Sequence, residues 1–182
     1  MTKIRPGTRD AIIEAAFLTF NDTPGAVLAD VAKRAGVGRA TLHRHFKSRT
    51  DLLVALAQTA MDELEAVVEA ATSEAQSYRE ALHMSLCAVI PLASRQWFLS
   101  HEDFGANPAL VARHQASIDA LHATIEGARA EGRFPPDLPT PWIAEVYENL
   151  IYAAWTMVRA EEATTRQAAD MAWRTFVKGV SK

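Results

Sequence analysis

Residues 31–53 read VAKRAGVGRATLHRHFKSRTDLL, and this stretch decides the fold. Gly36 follows an apolar helical repeat and stands where a helix ends in the left-handed conformation. Leu42 and Phe46 lie one turn apart on a second short helix that begins near Arg39. Two short helices joined by a glycine turn in a basic region are typical of a helix-turn-helix, whose second helix lies in the major groove of DNA.

The flanking sequence extends this pattern in both directions. Residues 9–20 have apolar side chains at helical spacing, and the turn-forming residues 21–25 end that first helix. Downstream, Ser48 and Asp51 form the pattern of a capping box. They open a long helix that reaches about Ala71 and spans roughly 35 Å at 1.5 Å per residue. This helix links the N-terminal part to the rest of the chain.

The remainder is also predicted to be helical, so the expected fold class is all-α. The periodicity predicts further helices over 77–94, 108–131, 141–160 and 164–180. In the helix over 77–94 we expect a bend near Pro91. After this helix we expect a looser, aromatic-rich stretch over 97–105. We therefore predict a three-helix helix-turn-helix domain over residues 1–52. A helical domain for effector binding and dimerisation is predicted over residues 53–182.

Composition and charge narrow the class of protein. The 182 residues carry a net charge of -3, but residues 1–50 carry +5 and the remainder -8. A basic head on an acidic body indicates that the head meets a polyanion such as DNA. Cys87 stands alone, which excludes an internal disulfide and fits a reducing compartment. The apolar runs are too short for a membrane span, so we expect a cytoplasmic protein without a membrane partner.

Residues 31–53, together with the helix at residues 9–20, resemble the DNA-binding signature of TetR-type transcriptional regulators. The resemblance covers about the first 55 residues, and the helical body is similar only in outline. It implies a homodimer that binds a palindromic operator in double-stranded DNA, most often as a repressor, and that a small-molecule effector releases. On this basis we expect neither an enzyme nor a cofactor.

The outer side of the second motif helix is the predicted DNA-binding surface. The predicted DNA-binding residues are Arg39, Ala40, Thr41, His43, Arg44, Lys47 and Arg49. By resemblance, the first two face bases, the next two lie where the family contacts phosphate, and Arg49 is the basic residue that opens the fourth helix. The chain departs from the family in having His43 for Tyr, Arg49 for Lys, and Val27 for Ser or Thr. The last change removes a capping hydroxyl and a phosphate contact.

The body supplies two further hypotheses. Large side chains with polar tips suit an apolar effector pocket, although a helical core also needs large residues. The predicted pocket residues are Trp97, Phe98, His101, Phe104, Tyr147 and Leu150. The last two helices are the predicted dimer interface, because a monomer would have to expose their aromatic side chains. The predicted interface residues are Glu148, Tyr152, Trp155, Arg159, Trp173, Phe176, Val177 and Val180.

Two alternatives remain open from the sequence. A DNA-binding dimer that responds to no effector has the same motif. A metal-dependent enzyme of the di-iron helical-bundle type would use Glu80 with His83, and Asp119 with His122, since each pair shares one helix face. Such pairs arise easily by chance among six His and 22 Asp or Glu, so we predict no metal site.

Overall fold

The computed structural model describes residues 7–102 and 107–180, and every regular element within these ranges is a helix. The helices are α1 (Thr8–Asp22), α2 (Leu28–Arg34), α3 (Arg39–His45), α4 (Arg49–Thr72), α5 (Tyr78–Val89), α6 (Ala93–His101), α7 (Pro108–Ala130), α8 (Thr140–Arg159) and α9 (Thr165–Val180). The all-α class predicted from the periodicity is confirmed. None of these helices is both long and apolar enough to cross a membrane.

Helices α1 to α3 form the helix-turn-helix head. Phe17 of α1 is fully buried, and Leu42 and Phe46 are buried around the motif as their spacing predicts. Gly36 has a φ of +68°, which confirms the predicted left-handed residue at the end of α2. The backbone N–H of Val37 then donates to the carbonyl of Ala32 at 3.0 Å, which fixes the turn that aims α3 outward.

Helix α4 joins the head to the body. It starts where predicted, with the hydroxyl of Ser48 accepting a hydrogen bond from the backbone N–H of Asp51 at 3.0 Å. Its Leu52 is buried, and so is its Leu64 three turns further along. These residues belong to one continuous buried cluster that runs from α1 to α9. The division of the chain between residues 52 and 53 therefore stays a prediction.

The stretch around Pro91 differs from the prediction. A single turn of 3₁₀ helix, Ile90–Leu92, separates α5 from α6, because proline has no N–H and cannot continue the α5 hydrogen bonds. The expected loose stretch is wrong for residues 97–101, which lie within α6. The part of it at residues 103–105 lies outside the described residues.

Helix α6 packs its inner face onto the head. Arg95 is only 8% exposed, and its guanidinium donates to Glu14 of α1 and, at 2.8 Å, to Glu63 of α4. The same guanidinium lies 4.6 Å from the ring centroid of Phe17. Asn21 at the end of α1 donates to the carbonyl of Ser94 at 2.8 Å. These bonds fix the start of α6 against α1.

Candidate DNA-binding surface and effector chambers

The exposed face of α3 carries most of the predicted DNA-binding side chains. The predicted residues that are exposed are Arg39, Ala40, His43 and Arg44 of α3 and Lys47, two residues beyond the helix. The opposite face is buried against the head, so the exposed face is held rigidly. Arg39, Arg44 and Lys47 carry positive charges, and a positive face of this kind attracts the phosphates of DNA.

Two of the predicted contacts have a local structure of their own. Thr41 is half-buried, and its hydroxyl accepts a hydrogen bond from Arg44 at 3.2 Å. Arg39 and His43 border a groove of about 330 Å³ together with Val27. The backbone N–H of Val27 donates to the carboxylate of Asp30 at 3.0 Å. This bond holds the start of α2 although Val27 has no hydroxyl to cap it.

Arg49 is held by the protein itself. It is half-buried, donates to the carbonyl of Pro24 at 3.0 Å, and lies 4.9 Å from the ring centroid of Phe20. It also lies 4.0 Å from the carboxylate of Glu102, which follows α6. Burial raises the pKa of Glu102, and Arg49 opposes that rise. Arg49 therefore ties the first turn of α4 to both the head and the end of α6.

The body encloses a cavity of about 390 Å³, here called the first chamber. It lies between α4, α5, α6, α7 and α8. Its lining residues include Met61, Leu64, Val68, Leu82, Leu99, Ile118, Leu121, Tyr147 and Ile151. The hydroxyl of Tyr147 donates to the carbonyl of Leu82 at 2.7 Å, and burial raises the pKa of this hydroxyl. A volume of this size and composition is typical of small-molecule sites.

A second cavity of about 370 Å³, here called the second chamber, lies between α6, α7 and α8. Three aromatic rings stack along its wall. The Trp97 ring centroid lies 3.9 Å from that of Tyr152 and 3.7 Å from that of His101. Glu145 and Asn149 add polar atoms from α8.

The two chambers meet at Glu148. The residues that line both are Gln96, His114, Ile118, Glu148 and Ile151. The amide of Gln96 donates to Glu148 Oε1 at 2.8 Å. Burial raises the pKa of Glu148 to about 7, repulsion from Glu145 adds to the rise, and the Gln96 hydrogen bond opposes it. Burial also lowers the pKa of His114, which favours its neutral form.

The structure distributes the six predicted pocket residues differently from the prediction. Tyr147 lies in the wall of the first chamber, and Trp97 and His101 lie in the wall of the second. The prediction for Phe98 is wrong, because it is 1% exposed and packs edge-on against Phe17 with ring centroids 5.4 Å apart. Leu150 lies on another face of α8 and is absent from both walls. Phe104 falls outside the described residues.

Two predicted interface residues belong instead to the core. Phe176 is 1% exposed and packs against Tyr147 and Phe134, with ring centroids 5.3 and 5.7 Å apart. Trp155 is 7% exposed, and the guanidinium carbon of Arg159 lies 4.8 Å from the centroid of its ring. Because α8 packs against α5, α6, α7 and α9, Trp155 of α8 and Phe176 of α9 are buried within one chain, and the argument that a monomer would expose them is wrong.

The other predicted interface residues have partners within the chain or are half-buried. Glu148 lines both chambers, Tyr152 stacks on Trp97, and Trp173 stacks on His83 with ring centroids 4.6 Å apart. Asp22 accepts hydrogen bonds from Arg159 and from Arg34. The bond from Arg34 is the chief reason that the pKa of Asp22 is lower than its usual value. Val177 is half-buried, and the side chain of Val180 lies outside the description.

A different face of α8 is apolar and incompletely covered. It carries Val146, Leu150, Ala153 and Met157, spaced at i, i+4, i+7 and i+11. The first, second and fourth are half-exposed, and Ala153 is exposed.

Residues 12–56 match the family described as bacterial regulatory proteins of the tetR family. The transcriptional repressor LfrR of Mycolicibacterium smegmatis is 31% identical over 177 residues, which cover 97% of this chain and 92% of LfrR. The chain belongs to the TetR family. The regulator NfxB of Pseudomonas aeruginosa is 26% identical and covers 94% of each chain. The crystal structure of LfrR with bound proflavine superposes with a TM-score of 0.71 over 94% of this chain and 95% of that one.

Membership of the TetR family establishes the protein as a transcriptional regulator and not an enzyme. The residues proposed for a di-iron centre also have other roles. His83 stacks on Trp173, Glu80 accepts from the backbone N–H of Gln76, and Asp119 accepts from Gln115. Within residues 7–102 and 107–180, no group of three or more His, Cys, Asp or Glu is placed to hold a metal.

The raised pKa of Glu148 predicts a pH-dependent cost to folding. The folded protein keeps a proton on Glu148 up to about pH 7, whereas the unfolded chain releases it near its ordinary value of 4.5. Stability is therefore lost as the pH rises from about 4.5 to 7. Urea unfolding measures the free energy of unfolding of E148Q and of wild type at pH 5 and at pH 8. We expect the difference between E148Q and wild type to shift by about 1–3 kcal/mol in favour of E148Q when the pH is raised from 5 to 8.

The matched control is E162Q, which makes the same change at an exposed residue beyond α8. We expect its unfolding free energy to follow wild type within about 0.5 kcal/mol at both pH values. Identical pH dependence in E148Q and wild type would contradict the assigned cost.

Proposed function

We propose that the chain is a homodimeric repressor that binds a palindromic operator through α3 and is released when a small effector enters the chambers. The two faces of α6 carry this proposal. Gln96 and Leu99 of α6 line the chambers, while Arg95 and Phe98 of the same helix pack on α1 of the head. A ligand that moves α6 therefore acts on the head. The protein would work in the cytoplasm, where the chromosome lies.

Recognition of DNA rests on the exposed face of α3. Arg39 starts this helix at the rim of the groove beside Val27, in the position from which a guanidinium can reach a base edge. Lys47 follows the helix and is exposed, which suits a phosphate contact. Arg49 is already bonded to Pro24, so we assign it the placement of α4 as well as the predicted phosphate contact.

We expect R39A to weaken binding to duplexes that the purified protein has selected from a random library. The expected loss is about 1–3 kcal/mol per subunit, with relaxed preference at one base pair of each half-site. K47A should weaken all duplexes alike and flatten the salt dependence by about one ion per subunit. Fluorescence anisotropy at several salt concentrations measures both effects. Wild-type affinity in R39A and K47A would contradict the assignment of α3.

A dimer is needed because one recognition helix covers too few base pairs for useful specificity. The outer face of α8 supports an isologous contact. Its apolar stripe of Val146, Leu150, Ala153 and Met157 is only partly covered by the rest of the chain. Paired across a two-fold axis, such stripes would bury each other and hold two heads about one turn of DNA apart.

We expect wild-type protein to sediment as a dimer of 19.9 kDa chains at micromolar concentration. L150E should sediment as a monomer, because two carboxylates would meet in an apolar contact. A70E introduces the same side chain at an exposed site on α4 and should remain dimeric. A monomeric wild type, or a dimeric L150E, would contradict this choice of interface.

The proposed effector is a small, mostly apolar molecule. The first chamber has the volume and lining for one, and the relative LfrR has been crystallised with proflavine. Proflavine is therefore the first ligand to test. The alternative is a regulator that binds DNA without any effector, and it shares the head, the dimer and the fold.

We expect proflavine to release wild-type protein from its selected duplex. L121W should bind DNA normally but resist release, because the indole fills the first chamber that Leu121 lines. V111W places the same side chain at an exposed position of α7 outside both chambers and should respond like wild type. An operator complex unaffected by proflavine in all three proteins would favour the alternative without an effector.

A further inference from the structure

We propose that the effector is a flat organic cation and that Glu148 selects it for its positive charge. The rings of the cation lie in the first chamber, and its charge lies at the boundary of the two chambers. This inference rests on the proposed function, and it adds the chemical class of the effector. The chemical class follows from the charged groups in the chamber walls and from the partners that those groups have.

The described residues of the two chamber walls include four carboxylates. Among the described residues, neither chamber wall includes a lysine or an arginine. Glu65 is neutralised by Arg113, whose Nε and Nη2 lie 3.0 and 2.6 Å from its carboxylate oxygens. Glu69 is exposed to solvent, where water screens its charge. Glu148 is the more buried carboxylate of the walls.

The acidic and histidine side chains of the chamber walls lie on four helices. Besides Glu148 they are Glu145 on α8, His114 on α7, His101 on α6, and Glu65 and Glu69 on α4, and α6 also contributes the neutral Gln96. Helix α5 contributes the uncharged Leu82, Ser85 and Val89. A lysine or arginine that could neutralise Glu148 is not among the described residues of either wall.

A buried carboxylate in such surroundings keeps its proton instead of its charge. Burial is the chief cause of its raised pKa of about 7, and Glu145 adds to it. An organic cation entering the chambers supplies the missing positive charge. The carboxyl group then releases its proton to solvent, and the cation pairs with the carboxylate. Below about pH 7, binding of a cation is in this way an exchange for one proton.

The walls suit the rest of such a ligand. Leu64, Val68 and Leu121 offer apolar surface to a flat ring system in the first chamber. In the second chamber the stacked rings of Trp97 and Tyr152 add flat aromatic surface to the wall. The neutral amide of Gln96 orients the carboxylate without competing for its charge.

The test uses two ring systems that differ in charge. 10-Methylacridinium carries a fixed positive charge, whereas acridine, with the same three rings, is neutral at pH 8. We expect wild type at pH 8 to bind the cation at least about tenfold more tightly than acridine, measured by fluorescence titration without DNA. E148Q should bind acridine like wild type and lose the preference for the cation. E162Q should keep it.

The pH dependence adds an independent readout. Between pH 6 and pH 8 the affinity of wild type for 10-methylacridinium should rise about tenfold, because Glu148 ionises in this range. The affinity of E148Q should stay constant, and its calorimetric titration should show no proton release. Acridine binding by E148Q demonstrates that the variant is folded.

A wild type that binds both rings equally, or neither ring, overturns this inference, and so does an E148Q that retains the preference. These results leave the proposed function standing if proflavine still releases the operator. Conversely, a protein that selects no DNA from the library contradicts the proposed function. The titrations without DNA decide the role of Glu148 in that case as well.

Discussion

The position of the head relative to the body depends on the contacts of the Arg95 guanidinium. This guanidinium reaches from α6 to carboxylates on α1 and on α4, and it covers the ring of Phe17. Three helices thus meet at one buried charge, which is stable there because two carboxylates and an aromatic face replace its water. Phe98, one turn along α6, fills the space beside Phe17.

Further contacts extend this joint at its edges. Asp22 accepts hydrogen bonds from Arg34 of α2 and Arg159 of α8, so the end of α1 is bonded to both the motif and the body. Arg49 joins the start of α4 to Glu102 after α6. Coupling between an effector and DNA requires a difference in binding free energy between two arrangements of this joint. We infer that α6 carries that difference, since its other face lines the chambers.

The sequence predicted the elements that local chemistry fixes. Gly36 ends α2 and Ser48 caps α4 as expected, because a turn glycine and a capping hydroxyl act on their immediate neighbours. The roles of Trp155, Phe176 and Glu148 depended on which helices surround α8, and a single helical stripe does not encode that. Only the packed chain shows that Glu148 separates two chambers and that the exposed apolar face of α8 starts at Val146.

The central claim is that α6 transmits effector binding to the head, and one measurement tests it most directly. The ratio of operator dissociation constants with and without saturating proflavine is determined for wild type and for E14Q, which weakens the bond between Arg95 and α1. We predict that E14Q binds proflavine like wild type while this ratio falls severalfold. An unchanged ratio in E14Q, with proflavine still bound, would show that the signal reaches the head by another path.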